Sequence, residues 1–307
     1  MPVAGEYSYL WGWVGAGGGL LALLWAARAL LLYGLVPQAT LEGPQPADLG
    51  LTAQSVRLPV TGGVSLFAWY LPAGTATKPA PAIVLLHGWG GNASTLLPAA
   101  QALRHAGYAV LLPEARNHGR SDRHGYSSLP RFAEDLDGAL DWLVAQPGVE
   151  ASRLCALGHS VGAAAVLLSA SRRHDLHAVV SVSAFAHPEQ VMRRWLAARH
   201  VPYWPLGWAV NRYVEHVIGA RFNDIAPMNT LPRVPCPVLL LHGRQDDLVP
   251  VMDARQLWQH RMRARVTLLE CDGSHEGFDD LDEVTRQMLR FLHLADPTPP
   301  GLSPLPR

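Results

Sequence analysis

RLCALGHSVGAAAVLLSA, residues 153–170, decides the fold. Arg153 to Leu157 is a short apolar run, Gly158-His159-Ser160-Val161-Gly162 is a Gly-x-Ser-x-Gly turn, and Ala163 to Ala170 reads as a helix of small residues. Strand, tight turn and helix in that order hold a serine in a strained conformation above the end of a sheet, and the glycines leave room for it. A serine hydroxyl at its ordinary pKa is a poor nucleophile. The arrangement therefore calls for an imidazole to take its proton and a carboxylate to orient that imidazole. Both are expected in loops after later strands.

Working outward, Gln54 to Val60 and Val64 to Leu71 read as a hairpin across Gly62-Gly63. Short apolar runs then alternate with helical stretches: Ala82 to Leu86, Ala109 to Leu112, Leu154 to Leu157, Ala178 to Val182, Val238 to Leu241 and Val266 to Leu269. Continuous apolar strands spaced by helices predict an α/β protein with a doubly wound, mostly parallel sheet covered on both faces. Ligands in such sheets sit at the carboxyl ends of the strands. At that end, Val238 to Leu241 is followed by His242-Gly243-Arg244-Gln245-Asp246-Asp247-Leu248-Val249-Pro250, and Val266 to Leu269 is followed within a few residues by Cys271-Asp272-Gly273-Ser274-His275. The chain order is thus Ser, Asp, His.

GHSVG, LLLHGRQDDLVP and DGSHEGF resemble the three signature segments of α/β-hydrolase fold enzymes. LLHGWGGN, PEARNHGRSD and EDLDGALDWL resemble the serine-hydrolase branch with N-terminal membrane anchors, called BEM46-like or S33-type. The resemblance covers residues 54–295 and implies Ser160 as nucleophile, Asp246 as acid and His275 as base, with Asp247 the competing acid one residue off the pattern. An oxyanion needs two N–H donors fixed before reaction. The elbow offers Val161, and the His87-Gly88-Trp89-Gly90-Gly91 loop places the Trp89 amide where the family has its second donor. Residues 186–233, rich in aromatics and arginine, are expected to form a helical cap, with Trp204 and Trp208 facing substrate; His159 is a further substrate-binding candidate. One departure stands out: relatives usually carry Asp-x-Arg-Gly-His-Gly where this chain has Glu114-Ala115-Arg116-Asn117-His118-Gly119, a change expected at the floor of the pocket.

The ends of the chain carry other signals. Tyr7 to Ala27 is 21 residues without a charge, long enough as a helix to cross a ~30 Å hydrocarbon layer, so residues 1–36 are expected to be an uncleaved membrane anchor. Arg28 on its C-terminal side favours a cytoplasmic catalytic part. Gly15 and Gly19 offer a helix-pairing face for a homodimer through the anchor. Residues 37–53 read as a linker and 296–307, with five prolines, as a disordered tail.

Composition bounds the rest. Lys+Arg and Asp+Glu are 25 each, which gives no basic surface for nucleic acid. Three cysteines fit neither a disulfide framework nor a zinc motif, and His174 with His177 lacks a carboxylate partner, so no metal or cofactor is expected. The expected activity is hydrolysis of carboxylic esters with an apolar acyl group through an acyl-enzyme. The alternatives are an S33-type aminopeptidase or amidase, and a non-catalytic membrane scaffold. A serine nucleophile counts against the dehalogenase and epoxide-hydrolase branches, which use aspartate, and against the dienelactone type, which uses cysteine.

Overall fold

In the computed structural model, residues 18–19, 21–22, 25–26, 28–38, 40–74, 78–262 and 264–295 are described. Among them one eight-stranded sheet runs in the order β1-β2-β4-β3-β5-β6-β7-β8. The strands are β1 (Gln54–Val60), β2 (Val64–Leu71), β3 (Ala80–Leu86), β4 (Ala109–Pro113), β5 (Val149–His159), β6 (Leu176–Val182), β7 (Val238–Gly243) and β8 (Val266–Cys271). The hairpin β1–β2 and the pair β2–β4 are antiparallel, and every later neighbour is parallel. Apolar side chains on both faces of the central strands need cover on both sides, and the chain supplies it with alternating helices.

On one face α2 (Leu129–Val144), α3 (Val161–Ala170) and α6 (Val251–Gln259) pack Phe132, Leu136, Val166 and Leu257 against Leu66, Val84 and Leu240. On the other, α1 (Leu97–His105) and α7 (Leu281–Ala295) pack Leu97, Leu103, Met288 and Leu292 against Ile83, Leu85 and Leu239. Gly162 through Ala170 of α3 are all buried. A helix that is apolar all round belongs in the core, and small residues let this one lie close to the sheet. It starts directly after Ser160, which fixes the serine to the most constrained part of the molecule.

The insertion after β6 does form a helical layer, built of α4 (Pro188–Ala197), a turn at Tyr203–Gly207 and α5 (Trp208–Ile218). Arg194 pins it down through two hydrogen bonds to Asp253, at 2.9 and 2.8 Å, at the start of α6. Tyr126 Oη adds a bond to the Val217 carbonyl at 2.6 Å.

Most of the expected span Tyr7–Ala27, and all of 296–307, lie outside the described residues. Among the described residues no helix is long and apolar enough to cross a membrane. The segment expected as a linker lies against the body. Asn92 Nδ2 donates to the Thr40 and Glu42 carbonyls at 3.1 and 2.9 Å, Gln101 Nε2 donates to the Leu49 carbonyl at 2.9 Å, and Leu51 joins the core under α1 and α7.

Candidate active site

Ser160 sits at φ 56°, ψ −118°, between the end of β5 and the first turn of α3. Its N–H donates to the Val182 carbonyl at 2.9 Å, and its carbonyl accepts from Ala164 N at 3.1 Å, so the end of β6 and the first turn of α3 both hold the strained conformation. A Cβ on Gly162 would overlap the carbonyls of Leu86 and His87 at the end of β3. That close approach is why the turn needs glycine there. Just after β6, Ser183 is also left-handed at φ 54°, so strain is concentrated at two adjacent strand ends.

His275 and Asp246 meet at the same end of the sheet. His275 Nδ1 donates to Asp246 Oδ2 at 2.8 Å, with both side chains nearly closed to solvent. The other carboxylate oxygen, Oδ1, accepts from Leu248 N at 3.1 Å and Val249 N at 2.7 Å. His242 Nε2 lies 2.7 Å from the Val249 carbonyl and 3.4 Å from Asp246 Oδ2, two acceptors, so that nitrogen carries the proton. Burial alone would raise the Asp246 carboxyl, but the bonds from His242, His275 and Val249 outweigh it and hold the group well below the usual carboxylate range. Asp247, the competing acid, is exposed. With Nδ1 committed to Asp246, Nε2 is the nitrogen of His275 left to accept a proton.

The sequence gives His242 no role, although it stands four residues before Asp246 in the quoted segment. His159, expected at the substrate, is bonded to the His275 loop: its Nε2 donates to the His275 carbonyl at 2.8 Å. Burial lowers its pKa, and the nearby His275 adds to this against an opposing hydrogen bond, so the ring is neutral near pH 7.

The loop after β3 runs against the serine. A Cβ added at Gly88 would press on Ser160 Cβ at 3.1 Å and on His159 Nδ1 at 3.2 Å. This brings the next residue, Trp89, to the serine's side, its ring 43% exposed and stacked on Phe132 at 6.4 Å. Val161 is the first residue of α3, where N–H groups have no partner within the helix. Trp204 and Trp208 touch each other at 5.6 Å on the cap, 70% and 44% exposed, and neither lines the cavity beside His275.

A buried polar layer supports the Trp89 loop. His87 Nδ1 donates to the Gly88 carbonyl at 2.7 Å and its Nε2 accepts from Ala115 N at 3.0 Å. His118 packs on it at 4.9 Å, with Nδ1 donating to the Arg116 carbonyl at 2.9 Å. In the departing segment, Glu114 is buried and receives Arg120 Nη2 at 2.9 Å, while Arg116 binds buried Asp135 through Nε and Nη2 at 2.9 and 2.7 Å. Asn117 stands at φ 68°; asparagine is among the few residues besides glycine that tolerate that region.

Burial is the main cause that lowers His87 to about 4 and His118 to about 3. The unfolded chain protonates both below about pH 6.5 while the folded chain does not, so stability is full above that pH and is lost as pH falls. Between pH 6.5 and 5 each contributes a loss of about 2 kcal/mol. Asp246 is ionised in both states across this window and adds no slope. Denaturant unfolding is thus expected to show a lower midpoint near pH 5 than near pH 7.5, with the difference reduced in His118→Gln; equal midpoints would refute this account.

Cys155 and Cys236 are buried and Cys271 is half-buried. No group of three or more His, Cys, Asp or Glu able to hold a metal occurs among the described residues.

The serine aminopeptidase, S33, family profile matches residues 77–223. The YfhR protein of Escherichia coli O157:H7 is 25% identical over 272 residues, 86% of this chain and 88% of its own length. Among solved structures, the esterase Pf2001 of Pyrococcus furiosus superposes with a TM-score of 0.67 at 20% identity, covering 84% of this chain and 98% of that one. Est1E of Butyrivibrio proteoclasticus, solved with ferulic acid, has a TM-score of 0.62 at 18% identity, covering 78% and 98%. With that sheet order and these likenesses, the chain belongs to the α/β-hydrolase superfamily.

Proposed function

We propose that the protein is a serine hydrolase that cleaves carboxylic esters with an apolar acyl group, with Ser160 as nucleophile. The observation that carries this reading is the His275–Asp246 pair at 2.8 Å beside an elbow serine at φ 56°. As Ser160 Oγ attacks the ester carbonyl, His275 Nε2 takes its proton, and ionised Asp246 stabilises the imidazolium. The N–H groups of Val161 and Trp89 receive the oxyanion. Collapse expels the alcohol, which takes the proton back from Nε2. Water then repeats the sequence on the acyl-enzyme and frees the acid and the serine.

The S33 profile match supports a second reading, an aminopeptidase, in which the same proton goes to an amine leaving group. Initial rates on p-nitrophenyl esters beside aminoacyl p-nitroanilides separate the two. Esters are expected to be the better substrates; good anilide turnover with poor ester turnover would replace the esterase reading by the peptidase one. The membrane anchor rests on the uncharged stretch Tyr7–Ala27. Release of the full chain from membranes by carbonate would overturn it.

A further inference from the structure

A cavity of about 220 Å³ lies beneath the His275 loop. Its floor is the carboxyl end of the sheet, at Leu157, Val182 and Leu241; its walls are Ala99 of α1 and Val284 and Met288 of α7. His159 and His275 complete the lining on the side of the reacting centre. The cap is elsewhere: its residues Val214, Phe222 and Ile225 pack into the core of the opposite sheet face, whereas Leu157, Leu241, Val284 and Met288 belong to this one.

The cavity is half open, with Thr95, Glu276 and Leu281 exposed at its mouth. A concave, mostly apolar space in contact with His275 is the kind of place where a small-molecule site forms. The chemistry of the lining selects its class. The floor and walls are mostly hydrocarbon, and several of the polar groups around the space are already engaged. His159 Nε2 is bonded to the His275 carbonyl at 2.8 Å, and the Thr95 hydroxyl donates to the Asn92 carbonyl at 2.8 Å. His159 is also uncharged, since burial lowers its pKa. By comparison with a 150 Å³ apolar cavity that takes benzene, this one holds a chain of about six to eight carbons.

We propose that this cavity between α1 and α7 receives the hydrocarbon chain of the substrate, and that Ala99 and Thr285 on facing walls set the chain length accepted. The proposal rests on the ester reading of Ser160. It moves chain selectivity from the cap tryptophans to the opposite sheet face.

Two measurements test it. The first is kcat/KM for p-nitrophenyl esters from C2 to C12. Each added carbon is expected to raise the value about fourfold until the cavity is full. In Ala99→Trp, and independently in Thr285→Leu should the first variant not fold, the rise is expected to stop about two carbons earlier, lowering the C8-to-C2 ratio by about fifteenfold. Both residues are half-buried at the rim, where a larger side chain can enter without displacing the core. An unchanged length profile in a folded variant would overturn the proposal. The second measurement is octanoate binding to Ser160→Ala by calorimetry, expected to be weakened at least tenfold by adding Ala99→Trp. It reads the cavity without turnover, so a protein that hydrolyses no ester but binds octanoate in this way would refute the ester reading and keep the cavity, whereas no octanoate binding would refute the cavity.

Discussion

Ser160→Ala is expected to lower turnover on p-nitrophenyl esters by about 10⁶ and to abolish labelling by a fluorophosphonate probe, while the protein keeps its fold. The size follows from the geometry. In the proposed reaction the hydroxyl is the atom that forms the acyl bond, and no other side chain shares its position on the elbow between β5 and α3. The Val161 and Trp89 N–H groups, His275 and Asp246 all remain in the variant, so residual activity reports what oxyanion stabilisation and binding supply alone. The fold is expected to survive because alanine accepts φ 56° no less well than serine, and the bonds from Ser160 N to Val182 and from Ala164 N to Ser160 O are backbone bonds. Intact-mass detection of the probe adduct on parent and variant, with unfolding curves for both, checks the claim. Labelling of another serine, or esterase activity kept in the variant, would sink the assignment of Ser160.

Local pattern explains which parts of the molecule could be read in the sequence. β1 and β2 alternate apolar and polar or carry aromatic runs, and a Gly-Gly turn sits between them; the expected bounds Gln54 to Val60 and Val64 to Leu71 are those of the strands. The buried parallel strands were marked by short apolar runs, and only their ends differ, as at β5, which starts at Val149. Candidate residues within motifs, Ser160, Asp246 and His275, could be named for the same reason. What the sequence did not display are contacts between distant positions with no periodic signature. His159 reaches the carbonyl of a residue 116 positions away, and Asn92 holds the segment at Thr40 and Glu42 some 50 positions before it. The cap shows the complementary limit. Its aromatic content marks Trp204 and Trp208 as notable, but composition does not say how far each ring is covered, and in the fold they are 70% and 44% exposed. His242 lay inside a quoted motif, yet its role depends on a second acceptor, the Val249 carbonyl, that only the folded loop brings to its ring.

Asp246→Asn is expected to lower turnover by about 10⁴, and Asp247→Asn to change it by far less. In the parent, Asp246 Oδ2 accepts the Nδ1 proton of His275 at 2.8 Å, which leaves Nε2 unprotonated. An asparagine amide in place of Oδ2 donates instead of accepting. It therefore favours the tautomer with Nδ1 bare and Nε2 protonated, in which the base cannot take the Ser160 proton. The same amide would face the Nε2–H of His242, now 3.4 Å from Oδ2, a donor set against a donor. The amide oxygen can keep the bonds from Leu248 N and Val249 N, so the loop is expected to hold its shape. Asp247 is exposed, so its amide variant leaves the imidazole as it is. Because the Asp246 carboxyl is held well below the usual range, it stays ionised at every pH from 6 to 8, and the defect is expected to be constant across that window. The deciding measurement is kcat/KM for both variants at pH 6, 7 and 8 with one short ester. A larger loss in Asp247→Asn than in Asp246→Asn would move the acid to Asp247, and equal activity in all three proteins would remove the carboxylate from the mechanism.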